Sequence, residues 1–189
     1  MQSNRLMKWD ELQFLRTSAE ELIRSQKERK DPNRVKRFCD YMEFVLCLIY
    51  DYGWKDAEQI VGIVPFKGDL DDKAVNLEIA GETFRDRIQK QADELSLDGI
   101  LRIIDTEAHR DYNTGVVDAG IKSKVGGLKK MWQTMLDDRV RDTHDYLEGA
   151  VVGINDMFYT FDGDSAMAPG GFSKPENNVN CRCWITLVK

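Results

Sequence analysis

Residues 96–127 read Ser96-Leu97-Asp98-Gly99-Ile100-Leu101-Arg102-Ile103-Ile104-Asp105-Thr106-Glu107-Ala108-His109-Arg110-Asp111-Tyr112-Asn113-Thr114-Gly115-Val116-Val117-Asp118-Ala119-Gly120-Ile121-Lys122-Ser123-Lys124-Val125-Gly126-Gly127. Ser96 is a helix-capping residue, and Leu97, Leu101, Ile104 and Ala108 then fall on one helical face. The spacing predicts a helix to about Lys122, and Gly126-Gly127 punctuates the chain after it. Beyond that point the texture is β-type and short: Leu128 to Leu136, Phe158 to Phe161 and Cys183 to Val188. Asp162-Gly163 and Pro169-Gly170-Gly171 supply turns between them. The predicted fold class is therefore α+β, a mainly helical N-terminal part followed by a small antiparallel-sheet C-terminal domain.

Upstream, Leu70, Ala74, Leu77, Gly81, Phe84, Ile88 and Leu95 recur in steps of four and three, broken only at Gln91. That spacing predicts a heptad seam packed on another helix, with an intramolecular partner preferred. Asp56 to Ile63 reads as a short helix closed by Pro65 and Gly68. Asp31-Pro32 opens a helix through Val35, Phe38, Cys39, Met42, Val45, Leu46 and Ile49, which Gly53 is expected to end. Cys39 and Cys47 lie among core-type residues and are expected to be buried thiols. Trp9 to Lys30 carries Trp9, Leu12, Leu15, Leu22 and Ile23 at helical spacing. Ser18 with Glu21 forms a capping-box pattern that would split this stretch in two. The expected division is a helical region over 1–95 and a second domain over 96–189, with a long helix at 96–122 and a sheet within 128–189.

The chain has 189 residues, is 42% hydrophobic and carries a formal charge of -6. No apolar run approaches the roughly 20 residues of a membrane helix, and no secretory signal is expected at the N-terminus. Four unevenly spaced cysteines argue against a disulfide scaffold. The acidic balance argues against a plain nucleic-acid-binding module. The basic stretches Arg24 to Arg37 and Lys122 to Lys130 read as solvated faces rather than DNA contacts.

Three polar clusters remain. Thr106, His109, Arg110 and Asn113 share a helix face, with Glu107 placed to pair with Arg110. Asp137-Asp138-Arg139-Val140-Arg141-Asp142-Thr143-His144 leads to Gly149, and Asn177 to Cys183 opens the last strand. In order, Thr106-Glu107, Asn113, Trp132, Asp138, Arg139-x-Arg141-x-x-His144, Gly149, Phe158, Pro169-Gly170 and Asn180-Cys181-Arg182-Cys183 resemble the phage Mu F-like minor head proteins, over roughly residues 100 to 189. Many relatives carry Cys-x-x-Cys where this chain has Arg141 to His144, and His-Pro where it has Val179-Asn180. The four-ligand arrangement that could hold zinc in those relatives is incomplete here.

The resemblance implies a low-copy protein of the virion, at the head interior or portal vertex, assembled in the host cytoplasm. Its implied partners are the portal and other head proteins, with phage DNA as a further candidate. It implies no membrane, no small-molecule ligand and no cofactor. Some relatives carry a toxin or enzyme domain after the motif, and none is expected after Lys189. An assembly role ranks first. The alternative is a metal-independent nuclease in which Glu107, His109, Arg139, Arg141 and His144 supply base, acid and phosphorane stabilisation. An enzyme would turn both histidines to one open cleft beside Arg139 or Arg141. A structural network would bury them with every donor and acceptor used.

Cys181 and Cys183, one residue apart on a strand, point to the same face. With His144 opposite they would form a three-ligand metal site, but no fourth ligand is evident, and the spacing is too long for a disulfide between them. Free thiols without metal are expected. Arg139, Arg141 and Arg182 are expected to tie the Asp137-Asp138 turn, His144 and the last strand together.

Overall fold

The computed structural model describes residues 10–28, 31–65, 77–79 and 81–189. Among the described residues four helices come first: α1 (Asp10–Glu28), α2 (Arg34–Val61), α3 (Phe84–Asp93) and α4 (Leu97–Ser123). The rest of the chain runs β1 (Lys129–Gln133), α5 (Asp142–Asp145), β2 (Val151–Gly153), β3 (Phe158–Tyr159), β4 (Ser165–Ala166), α6 (Pro175–Asn178) and β5 (Trp184–Val188). The class is α+β, as the sequence predicts. Among the described residues every strand lies after Gly127. Before it there is only an isolated bridge between Ile79 and Glu82, which closes a turn.

The central element is α4. Ser96 caps it by accepting from the Gly99 amide, and Lys124 ends it in the left-handed conformation. At 27 residues it is about 40 Å long, enough to serve two cores in turn. Its first half, through Ile100, Ile104 and Ala108, packs with α1, α2 and α3. Its second half, through Val116, Val117 and Ala119, packs with the end of α2 and with Trp132, Phe158, Phe172, Ile185 and Leu187 of the sheet region. The main sheet has the order β2-β1-β5 and is antiparallel, with Lys130 opposite Val152 and Leu187, and Trp132 opposite Ile185. β3 and β4 form a separate hairpin.

Several expectations fail for identifiable reasons. Gly53 does not end α2, and Asp56 to Ile63 is no separate helix, because α2 runs unbroken to Val61. Gly53 is where α2 crosses α4: a Cβ there would lie 2.0 Å from the Tyr112 carbonyl oxygen, and one at Gly115 would lie 2.1 Å from that of Tyr50. The glycine serves close approach rather than chain reversal. Tyr50 and Tyr112 flank the crossing, their hydroxyls donating to Asp118 and Asp56 at 2.7 Å.

Ser18 and Glu21 cap nothing, since α1 is continuous. The cap of α2 is Asn33 rather than Asp31, whose carboxylate accepts from the Asn33 amide. The heptad seam does not form one helix. Leu70 and Ala74 lie outside the described residues, as do Trp9 and Lys30. Leu77 is exposed, and Gly81 sits at φ +80 in a turn. The helix begins instead at Phe84, where Thr83 and Asp86 form a capping box. Leu95 leaves it with φ +54. Of the cysteines in α2, Cys39 is buried, which pushes its thiol up to about 11, while Cys47 is half-buried.

Candidate functional site

Glu107 of the Thr106-Glu107 pair is fully buried. Arg87 of α3 donates to its Oε1 at 2.8 Å, and Arg110, one turn along α4, approaches its Oε2 at 2.6 Å. Arg110 also meets Asp111 at 3.3 Å. Burial raises the Asp111 carboxyl well above its ordinary range, against the pull of Arg110. The Pro169-Gly170 turn closes over Arg110: a Cβ on Gly170 would stand 2.8 Å from the Arg110 Cβ. Thr106 turns inward on its own helix, donating to the Arg102 carbonyl at 2.8 Å.

Asn113, buried on α4, joins helix to sheet. Its carbonyl oxygen accepts from the Ile185 amide at 3.1 Å, while its amide nitrogen donates to the carbonyls of His109 at 2.9 Å and Cys183 at 3.4 Å. At the other end of β5's approach, Arg182 forks onto Asp137 at 2.8 and 2.6 Å, and this contact pulls the Asp137 carboxyl down to about 2. Arg139 is mostly exposed and reaches Asp137 only at 3.6 Å, and Asp138 is exposed. Arg141 donates to the backbone carbonyls of Glu176 and Val179, the latter at 2.6 Å. Gly149 turns with φ +71, and its amide donates to the Trp132 carbonyl at 3.0 Å.

Trp132 on β1 is the hub beneath these contacts. It meets His144, Phe158 and Phe172 at ring separations of 5.3, 5.2 and 5.7 Å, and His144 stacks on Phe172 at 5.4 Å. His144 lies in α5, 1% exposed, and its Nδ1 stands 3.5 Å from Cys181 Sγ and 3.4 Å from Cys183 Sγ. The contact between the sulfurs holds Cys181 well below the ordinary thiol range and, with burial, pushes Cys183 up. The geometry therefore gathers the three ligand types in one place. A small cavity of about 10 Å³ adjoins them, lined also by Arg139, Arg141 and Asn180.

The five residues named for phosphodiester chemistry do not meet in one cleft. His109, Arg139 and Arg141 line an open groove with Asp105, Asn180, Cys181 and Arg182. His144 lines the small cavity beside it, and Glu107 lines neither. Burial lowers the His109 pKa, while a hydrogen bond to the Arg182 backbone works against it. The Nε2 atoms of both histidines are buried without a hydrogen-bond partner among the described residues. The site thus meets neither geometric criterion in full, because the histidines are buried and yet not saturated.

One polar anchor, Asp164, escapes sequence reading, and so does the role of Asn178 within the third polar cluster. Asp164, in what reads only as a turn, accepts from the amides of Ser165, Ser173 and Lys174 and from the side chains of Ser173 and Asn177. Burial opposes its ionisation, but these donors hold it at about 2. Asn178 bonds both ways with the Phe172 backbone. A carboxylate followed nine residues later by Ser-Lys-Pro and an Asn pair is the only local signal.

The fold and site define an α+β module in which polar side chains bolt a small sheet onto one end of a long helix. The pattern of the family described as Phage Mu protein F like protein matches residues 73–186, and the chain belongs to that family. It is 31% identical over 114 residues to minor head protein GP7 of Bacillus phage SPP1, covering 58% of this chain and 37% of that protein. It is 36% identical over 97 residues to the NAD(+)--arginine ADP-ribosyltransferase EFV of Enterococcus faecalis (strain ATCC 700802 / V583), covering 50% of this chain and 20% of that protein. The chain thus spans well under half the length of either relative. No solved structure gives a significant match.

Proposed function

We propose that this chain is a minor head protein that acts in phage head morphogenesis and resides in the virion, at the head interior or portal vertex, after assembly in the host cytoplasm. The observation that carries this reading is the 31% identity to a minor head protein over the matched region. Its partners are the portal and neighbouring head proteins. No helix among the described residues is long and apolar enough to cross a membrane. The ADP-ribosyltransferase relative is matched over only 20% of its length, and no transferase activity is carried over from it.

The contact surface lies on the helical half. Phe14 on α1 and Phe44 on α2 are 59% and 58% exposed, and Tyr41 stands between them at ring separations of 5.4 and 6.5 Å. Three aromatics side by side on a helical surface form an apolar patch of the kind that marks protein contacts. The test is co-expression with the portal, scaffold and major capsid proteins. A portal ring should retain the full chain, and a Phe14→Ser/Phe44→Ser double variant that melts normally should be retained less. Empty pull-downs with all three head proteins would overturn the assembly reading.

A further inference from the structure

We infer that His144, Cys181 and Cys183 bind a single zinc ion through three protein ligands, leaving the fourth position to a water molecule. The inference stands apart from the assembly role and reverses the expectation of free thiols drawn from the sequence. A histidine and two cysteines supply the whole set of protein ligands.

The geometry carries the argument. His144 Nδ1, Cys181 Sγ and Cys183 Sγ all lie within 4.8 Å of one another. Zinc bonds of about 2.3 Å to sulfur and 2.0–2.1 Å to nitrogen, set at a tetrahedral angle, give a sulfur-to-nitrogen edge of roughly 3.5 Å. The two observed separations are 3.5 and 3.4 Å. A hydrogen-bond network accounts for this poorly. A neutral imidazole nitrogen has one lone pair and accepts one good hydrogen bond, yet both sulfurs crowd the same Nδ1, while Nε2 of the same ring has no partner among the described residues. Three soft donors aimed at one point are what a cation arranges. Thiolate and imidazole together select zinc over the hard, oxygen-seeking divalent ions.

The frame holding these donors does not depend on the ion. Arg182 is locked to Asp137 between the two cysteines, Arg141 grips the Val179 carbonyl ahead of them, and Asn113 holds the Cys183 carbonyl. On the other side, His144 sits in α5 with its amide bonded to the Arg141 carbonyl at 2.9 Å. The fourth corner opens on the cavity of about 10 Å³, which has room for about one water. Three protein ligands plus water is an established zinc arrangement. On binding, the cysteines bond as thiolates, and any S–H protons leave to solvent, so no oxidant or reductant enters. The groove lined by His109, Arg139 and Arg141 reaches Cys181 and gives the ion its way in.

The experiment uses the full chain, purified without chelator from zinc-supplemented medium, with no phage protein present. Elemental analysis should find one zinc per chain, and X-ray absorption should show two sulfurs and two lighter ligands. Cobalt(II) added to zinc-stripped protein should give tetrahedral ligand-field bands and a thiolate charge-transfer band. Cys183→Ser should lose these bands, and Cys39→Ser should keep them. Should Cys183→Ser fail to fold, the cobalt spectrum of the unaltered chain decides alone. Folded protein that carries no zinc and gives no cobalt bands overturns the site. Portal retention is read in a separate assay, so either result can fail without the other.

Discussion

Asn113 has no charge and no catalytic neighbourhood, yet it holds α4 and β5 together with both ends of one amide. Asn113→Ala would leave the Ile185 amide and the Cys183 carbonyl unpaired in a dry interface. That should cost roughly 1–3 kcal/mol, read as a lower urea midpoint with unchanged slope. Glu107 is a harsher case. Its loss would take from the buried Arg110 and from Arg87 a carboxylate at 2.6 and 2.8 Å, so Glu107→Ala should destabilise by roughly 3 kcal/mol.

The titration of two residues gives pH signatures in two separate windows, with stability rising with pH in each. Asp164 has its folded pKa held at about 2 against an ordinary 3.8. Its stabilising effect is complete above the unfolded value and is lost as pH falls from about 4 through 2. Unfolding midpoints measured across that window should fall less steeply in Asp164→Asn than in the unaltered chain. Lys130 is buried against Phe158, and burial lowers it from 10.5 to about 8. Between those values the unfolded chain binds the extra proton, so stability should rise with pH from about 8 to 10.5. Lys130→Met should flatten that rise and be more stable at neutral pH.

At the scale of elements, the α2–α4 crossing sets the architecture. Backbone meets backbone at Gly53 and Gly115, and a methyl group at either would stand about 2 Å from a carbonyl oxygen. The side chain that would clash is the new Cβ itself, which cannot rotate away, so the helices must part. Gly53→Ala and Gly115→Ala should each cost roughly 1–3 kcal/mol or more, seen as a lowered Tm, although alanine is the better helix former. An unchanged Tm in both variants would mean that the crossing is looser than described. Gly53 misleads because a glycine after an apolar helical run looks the same whether it ends the helix or lets another helix in. The heptad spacing from Leu70 misleads in a comparable way. Apolar residues recur at the right steps, but Gly81 sits in a turn and Thr83 with Asp86 caps the start of α3, a local signal that outweighs the spacing.

At the scale of the whole molecule, two cores are strung along one helix, and the family pattern begins at residue 73, with α3 and α4 inside it. The motif residues gather where the second core meets the sheet, on elements far apart in sequence: Asn113 on α4, Trp132 on β1, His144 on α5 and Cys181 to Cys183 before β5. The aromatic surface of Phe14, Tyr41 and Phe44 lies on α1 and α2, outside that pattern. The proposed assembly contacts and the motif residues are thus on different parts of the chain. Variants of one should leave the readouts of the other unchanged.

Local pattern alone settles the α+β class, the capped start and glycine-marked end of the long helix, the pairing of Glu107 with Arg110, and the ordered motif that places the chain among the Mu F-like proteins. These are written in periodicity and in residues three or four apart, where helix geometry fixes the neighbour in advance. Packing settles the rest: that Gly53 lies inside a helix, that Asp137 rather than Asp138 takes the Arg182 fork, that Asp164 organises the loop before α6, and that His144 faces both cysteines. Each of these depends on which distant segment arrives opposite. That is set by how two cores pack along α4, a long-range outcome that no local spacing encodes.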